Sequence, residues 1–139
     1  MRGGRSSHHA YQVPAHIMFK KLFLSLTLGV LASAGHAAGD VAAGKRVFAK
    51  CVNCHQVGPA ARGNFGPQLN GIVGRTAGTT KDYKYSAAMR SSGVVWTEAK
   101  LRAFIKSTDD VVPGNKMRFF GIRDEKQITD LLAYLQTFK

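Results

Sequence analysis

Apolar residues recur at helical spacing in two well-separated stretches of the chain. Ile128, Leu131, Leu132, Leu135 and Phe138 repeat every three or four residues up to the C-terminus. That spacing places them on one side of a helix and predicts that this side is buried. Asp124 or its neighbour stands where the N-cap belongs, because a short side-chain oxygen there accepts from a free N–H of the first turn. Nearer the start, Gly44, Val47, Phe48 and Cys51 fall at i, i+3, i+4 and i+7 behind Asp40, and the same logic predicts a capped, half-buried helix.

Between these lie weaker patterns. Ser86 to Arg90 predicts one short helix and Thr97 to Lys106 another, with Leu101, Phe104 and Ile105 on its apolar side. Pro113-Gly114 then breaks the helix, since proline lacks an amide donor and its ring clashes with the preceding turn. Gln56 to Thr80 holds six glycines and two prolines with no sustained period and reads as a long ordered loop. A loop of that length in a small domain needs something besides secondary structure to hold it, and a large buried ligand would do so. No strand of comparable strength and no internal repeat is visible, so the expected class is all-α.

The first 37 residues differ from the rest. They contain His8, His9, His16 and His36, four Lys/Arg and no Asp/Glu. From Met18 a charged start (Lys20, Lys21) leads into an apolar run from Leu22 to Ala32 and then into small residues. This is the pattern of a secretory signal peptide, with cleavage expected after Ala37. The apolar run is too short for a bilayer, which takes about 20 residues, so no stable membrane insertion is expected after cleavage. Residues 1–17 have no periodic apolar pattern, and Met18 is the expected functional start. The domain division is therefore 1–37, extension and signal, and 38–139, one globular domain.

Charge narrows the partners. Of 20 Lys/Arg, 4 lie in the first 37 residues, leaving 16 against 8 Asp/Glu, a net +8 for the mature chain. Such a surface steers acidic partners. Nucleic acid is not expected, because the basic residues are scattered singly without a recognisable binding module.

The only two cysteines sit in the stretch CVNCH, Cys51 to His55. A bare C-x-x-C is compatible with a thiol redox centre, half a zinc site or, once His follows, covalent haem attachment. Structural zinc wants four Cys/His ligands, and residues 38–139 offer only Cys51, Cys54 and His55. A thioredoxin-like pair belongs near a βαβ unit, which this pattern lacks. Haem c needs two thiols to add across two vinyl groups and an adjacent imidazole for one face of the iron, and Cys51, Cys54 and His55 supply them. With His55 the sole histidine after residue 37, the other face falls to a methionine, Met89 or Met117; a thioether opposite histidine raises the reduction potential. Met89 lies in a predicted helix and reads better as a core filler. Met117 follows PGNK in an irregular segment that can be shaped around a porphyrin, and is the favoured ligand.

With those residues in place, Gly39 to Lys139 resembles the class I cytochrome c family of soluble, bacterial, mono-haem proteins. GDVAAGKRVFAKCVNCH, GPQLNGIVGR, YKYSAAM, GVVW, PGNKMRFFGI and DLLAYL match its signature segments in order. The resemblance implies about four to five helices wrapped around one covalently bound haem c, with the N- and C-terminal helices crossing. It gives Gly44 a reason, close approach of those helices beside Phe48 and Tyr134. It implies that the Pro67 carbonyl accepts from the His55 imidazole and orients it, and that Arg75, Tyr85 and Trp96 donate to buried haem propionates.

The chain departs from the family's pattern at several points. Phe104, Met89 and Asn115 stand where Tyr, Asn and Thr are frequent, so a thinner polar network beside the methionine is expected. Asp109 and Asp110 replace lysines found before the methionine loop of the mitochondrial members, which implies a different preferred partner. Lys50, Lys81, Lys84, Lys116 and Arg118 are left to form a positive face. An iron with both axial positions filled by protein implies a periplasmic electron carrier cycling between Fe(III) and Fe(II), a monomer meeting redox partners with acidic docking surfaces. The alternatives are a dedicated haem subunit of one dehydrogenase or oxidase, and a weak peroxidase or gas binder if the Met117 bond is labile.

Overall fold

In the computed structural model, which describes residues 38–139, five helices follow the chain. The predicted signal segment and start lie outside the described residues. Helix α1, Val41–Phe48, begins at Asp40, whose carboxylate accepts from the N–H groups of Ala42 (2.8 Å) and Ala43 (3.0 Å). Helix α5, Glu125–Gln136, begins at Asp124, which accepts from Gln127 N–H at 2.9 Å. Both caps satisfy amides that have no partner inside the helix. The periodic residues Ile128, Leu131 and Leu132 of α5 are all but sealed from solvent. Phe138, the last member of that pattern, lies just beyond the helix, its ring edge-on to Tyr134.

Helices α1 and α5 are in contact backbone to backbone. A Cβ added to Gly44 would lie 1.9 Å from the Asp130 carbonyl oxygen and 2.8 Å from Tyr134 Cβ. The expected neighbours, Phe48 and Tyr134, do stack beside the crossing with ring centroids 5.4 Å apart. The nearest obstacle is nevertheless the α5 main chain.

The crossing also carries a polar clasp. Asp130 is 4% exposed; its carboxylate accepts from the Asp40 N–H at 2.8 Å and from Lys126 Nζ at 3.0 and 2.8 Å. The Lys126 ammonium first, and then the Asp40 N–H, hold the Asp130 carboxyl below its ordinary pKa of 3.8. A depressed carboxylate pKa adds stability above the unfolded-state pKa and loses it as pH falls through the folded value. Asp130→Asn is therefore expected to unfold at lower denaturant than the native protein at neutral pH. The gap should narrow as pH falls below about 4; denaturant titrations at both pH values check this.

The three shorter helices pack around the same core. Helix α2, Ala87–Ser91, starts at Ser86, and α3, Glu98–Lys106, at Thr97, each cap accepting from the third residue onward. Helix α4, Thr108–Val111, is a single turn that hydrophobic patterning does not reveal, because TDDV is shorter than the repeat needed to see a period. Among the described residues strand pairing is limited to one isolated bridge between Thr76 and Val95.

The long glycine-rich loop is ordered partly by its own hydrogen bonds. Asn70 accepts from Gly58 N–H and donates to Gly58 O, both at 2.8 Å. Leu69 N–H reaches Gln56 O at 2.9 Å, and Gly71 N–H reaches Phe138 O at 2.7 Å. The last of these pins the loop to the end of the C-terminal segment.

Candidate cofactor site

After Phe48 the chain leaves α1 in a series of turns. Cys51 N–H bonds Phe48 O at 2.8 Å, and the N–H groups of Cys54 and His55 both bond Cys51 O, at 3.0 and 2.9 Å. These turns bring Cys51, Cys54 and His55 to one wall of a cavity of about 340 Å³. Met89, Met117, Arg75, Tyr85 and Trp96 line the same cavity, and the remainder of its wall is largely apolar, including Phe48, Leu101, Phe104 and Leu131. Pro67 lines the cavity as well, so all the site residues named from the sequence meet there.

His55 is fixed by its neighbour across the loop. Nδ1 lies 2.7 Å from Pro67 O. A carbonyl can only accept, so Nδ1 carries the proton and the Nε2 lone pair is free. Burial lowers the His55 pKa, opposed by the Pro67 bond and reinforced by the nearby Arg75 charge. A neutral imidazole in one tautomer is what ligation of a metal requires.

Gly66 supports this geometry, a role that the loop's glycine-rich composition does not reveal. A Cβ there would stand 2.5 Å from His55 Cε1 and 2.8 Å from Nδ1. The residue is buried and its N–H bonds Cys54 O at 2.9 Å. The imidazole therefore lies against bare backbone. A glycine immediately before the orienting proline was the available signal.

The two thiols are free and differ in setting. Burial pushes the Cys51 thiol up to about 11, whereas Cys54 is exposed. Both thiols stand beside a largely apolar cavity, a setting that suits a hydrophobic ligand. Among the described residues no group of three or more His, Cys, Asp or Glu could hold a metal ion alone.

Arg75 is held by its own loop. Its guanidinium donates to Asn70 O at 3.0 Å and to Gln68 O at 2.8 Å. Two of five donors are thereby used, leaving others for an anionic group. Tyr85 shares a hydrogen bond with Thr80 at 2.8 Å, and Trp96, 6% exposed, packs on Phe104 with centroids 4.9 Å apart.

The two methionines reach the cavity from different supports. Met89 rides on α2, its N–H bonded to Ser86 Oγ at 3.1 Å. Met117 sits in a segment without helix, its N–H bonded to Asn115 Oδ1 at 2.8 Å. The expected thinning of the polar network concerns the methionine sulfur, whereas the hydrogen bond found here runs to the Met117 backbone. Phe104 and Met89 are indeed apolar lining, but Asn115 is buried and makes three side-chain hydrogen bonds.

The positive face is partly committed. Lys50 donates to Gln127 Oε1 and Lys116 to the Lys84 carbonyl, each at 3.0 Å. Both acceptors are neutral, so both ammonium charges remain uncompensated. Lys81, Lys84 and Arg118 are exposed.

The chain is similar to known proteins over most of its length. The family model described as Cytochrome c matches residues 41–139. Cytochrome c2 of Blastochloris viridis is 41% identical over 119 residues, covering 86% of this chain and 94% of that protein. Cytochrome c2 of Agrobacterium tumefaciens is 47% identical over 100 residues, covering 70% and 90%. Among solved structures, cytochrome cH from Methylobacterium extorquens superposes with a TM-score of 0.67 at 41% identity, over 71% of this chain and 99% of that one. Cytochrome c2 from Rhodospirillum centenum gives 0.68 at 33% identity, over 72% and 98%.

Proposed function

The chain belongs to the cytochrome c family, and from that premise we propose that it is a periplasmic carrier whose haem is held by Cys51, Cys54, His55 and Met117. It is an electron-transfer protein with one covalently bound haem c rather than an enzyme. The haem supplies reversible one-electron exchange between Fe(III) and Fe(II). The observation that carries the site assignment is the convergence of two free thiols, a neutral Nδ1–H imidazole and two thioethers on one largely apolar cavity.

The chain's own residues divide the remaining work. Cys51 and Cys54 form the thioether links. Pro67 O keeps the imidazole in the tautomer that presents Nε2, while Gly66 gives it room. Arg75, Tyr85 and Trp96 offer N–H and O–H donors to the propionates. Phe48, Leu101, Phe104 and Leu131 exclude water, which favours the less charged reduced centre.

The protein exchanges electrons with redox partners. The excess of cations around the site supports partners with acidic surfaces, docked weakly and in a salt-dependent way by a monomer. A position outside the cytoplasmic membrane is supported by the Met18–Ala37 pattern. Among the described residues no helix is long and apolar enough to cross a membrane.

The test is a redox titration of the protein produced with its leader. One haem per chain and one reversible single-electron wave are expected, with the alkaline pyridine spectrum of a haem bound through two thioethers. A spectrum of unsaturated vinyl groups, or haem lost on acid–acetone extraction, would refute the attachment.

A further inference from the structure

Two departures from the family's pattern, Asp109 and Asn115, are bonded to each other. Asn115 Nδ2 donates to Asp109 Oδ1 and to Val112 O, both at 2.9 Å, and its Oδ1 accepts from Met117 N–H at 2.8 Å. One amide orientation alone satisfies all three partners, since two are acceptors and one is a donor. Asn115 is 6% exposed and its bond to Val112 O is buried, so leaving its amide unpaired would be costly.

The amide links the one-turn helix α4 to the amide of Met117. Its anchor is itself tied down: Val112 N–H bonds Thr108 O at 3.0 Å, Asn115 N–H bonds Val112 O at 3.1 Å, and Thr108 is buried. On the far side Lys116 Nζ holds the Lys84 carbonyl. Neither partner is replaceable by the residue frequent in the family. A threonine hydroxyl has one proton and cannot serve both Asp109 and Val112, and a lysine at 109 has no acceptor to offer.

We propose that Asp109 and Asn115 form a brace that fixes the backbone of Met117 and thereby limits how readily its sulfur is displaced from the iron by another ligand. The proposal rests on Met117 being the second axial ligand. Asp109 and Asn115 are positioning residues: they act on the iron only through Met117. Asp109 is exposed, yet it is tied to the methionine loop through Asn115.

The experiment is imidazole binding to the ferric holoprotein, followed by the haem spectrum, in native protein and five variants. Asn115→Ala is expected to raise imidazole affinity about tenfold and Asp109→Ala about threefold, from the bonds each removes. Asp109→Asn keeps an acceptor oxygen and should stay near native. Asp110→Ala removes the same charge without a bond to Asn115 and should also stay near native. The double variant Asp109→Ala/Asn115→Ala should match Asn115→Ala alone, because the two act as one unit. Should Asn115→Ala fail to fold, the three substitutions at 109 and 110 carry the test. Equal effects of Asp109→Ala and Asp110→Ala would reduce the brace to bulk charge and overturn it. Unchanged affinity in Asp109→Ala would overturn it too. Loss of the near-infrared sulfur-to-iron band in Met117→Ala shows that the ligand reading holds in either case; survival of that band overturns the ligand reading and the brace with it.

Discussion

Gly44→Ala is expected to destabilise the protein by at least about 3 kcal/mol, at the upper end of overpacking effects. Alanine is intrinsically the better helix former by about 1 kcal/mol, so local propensity alone predicts the opposite sign. The tertiary contact decides. The new methyl would lie 1.9 Å from the Asp130 carbonyl oxygen and 2.8 Å from Tyr134 Cβ, and a mid-helix carbonyl cannot rotate away. Helix α1 must then move off α5, which pulls on Phe48 and on the turns that place Cys51 and His55. Gly44 has no positive φ, so backbone strain contributes nothing and the effect is purely one of approach. Denaturant unfolding of the holoprotein measures it; a variant within about 0.5 kcal/mol of native, the range of an innocuous surface change, would show that the helices can separate freely.

How far the sequence reveals this molecule depends on how local each cause is. The faces of α1, α3 and α5 and the caps Asp40 and Asp124 are legible because capping and periodic burial act within a few residues. Cys51, Cys54 and His55 are legible because covalent attachment demands a fixed spacing. Helix α4 is not, since one turn has no period. Gly66 is not, because its requirement comes from the His55 ring eleven residues away, with which it has no periodic relation. The bond between Asp109 and Asn115 is hidden for the same reason: each reads alone as a substitution, one of docking charge and one of pocket polarity, and only the loop's path shows them as a pair. Pro67, Arg75, Tyr85 and Trp96 were assigned from resemblance. The structure adds that Arg75 is already anchored on Gln68 O and Asn70 O, a role that the resemblance does not imply.

Met117→Ala is expected to abolish the near-infrared band of the ferric protein and to lower its reduction potential by a few tenths of a volt, within the wide range that axial ligands control. The thioether is a soft, neutral donor and favours Fe(II) over Fe(III). Without it the ferric form gains relative to the ferrous, and the iron becomes open to small ligands. Met89→Leu is the necessary comparison, because Met89 lines the same cavity and offers the same chemistry. Its support differs: α2 holds Met89 by helix geometry and a Ser86 cap, whereas Met117 is presented by a loop pinned at Asn115 and Lys116. Leucine at 89 preserves the apolar volume and should leave the band in place with only a small change in potential. Spectra and redox titrations of the two variants therefore give opposite patterns for the two assignments, and loss of the band in Met89→Leu with its retention in Met117→Ala would move the ligand to α2.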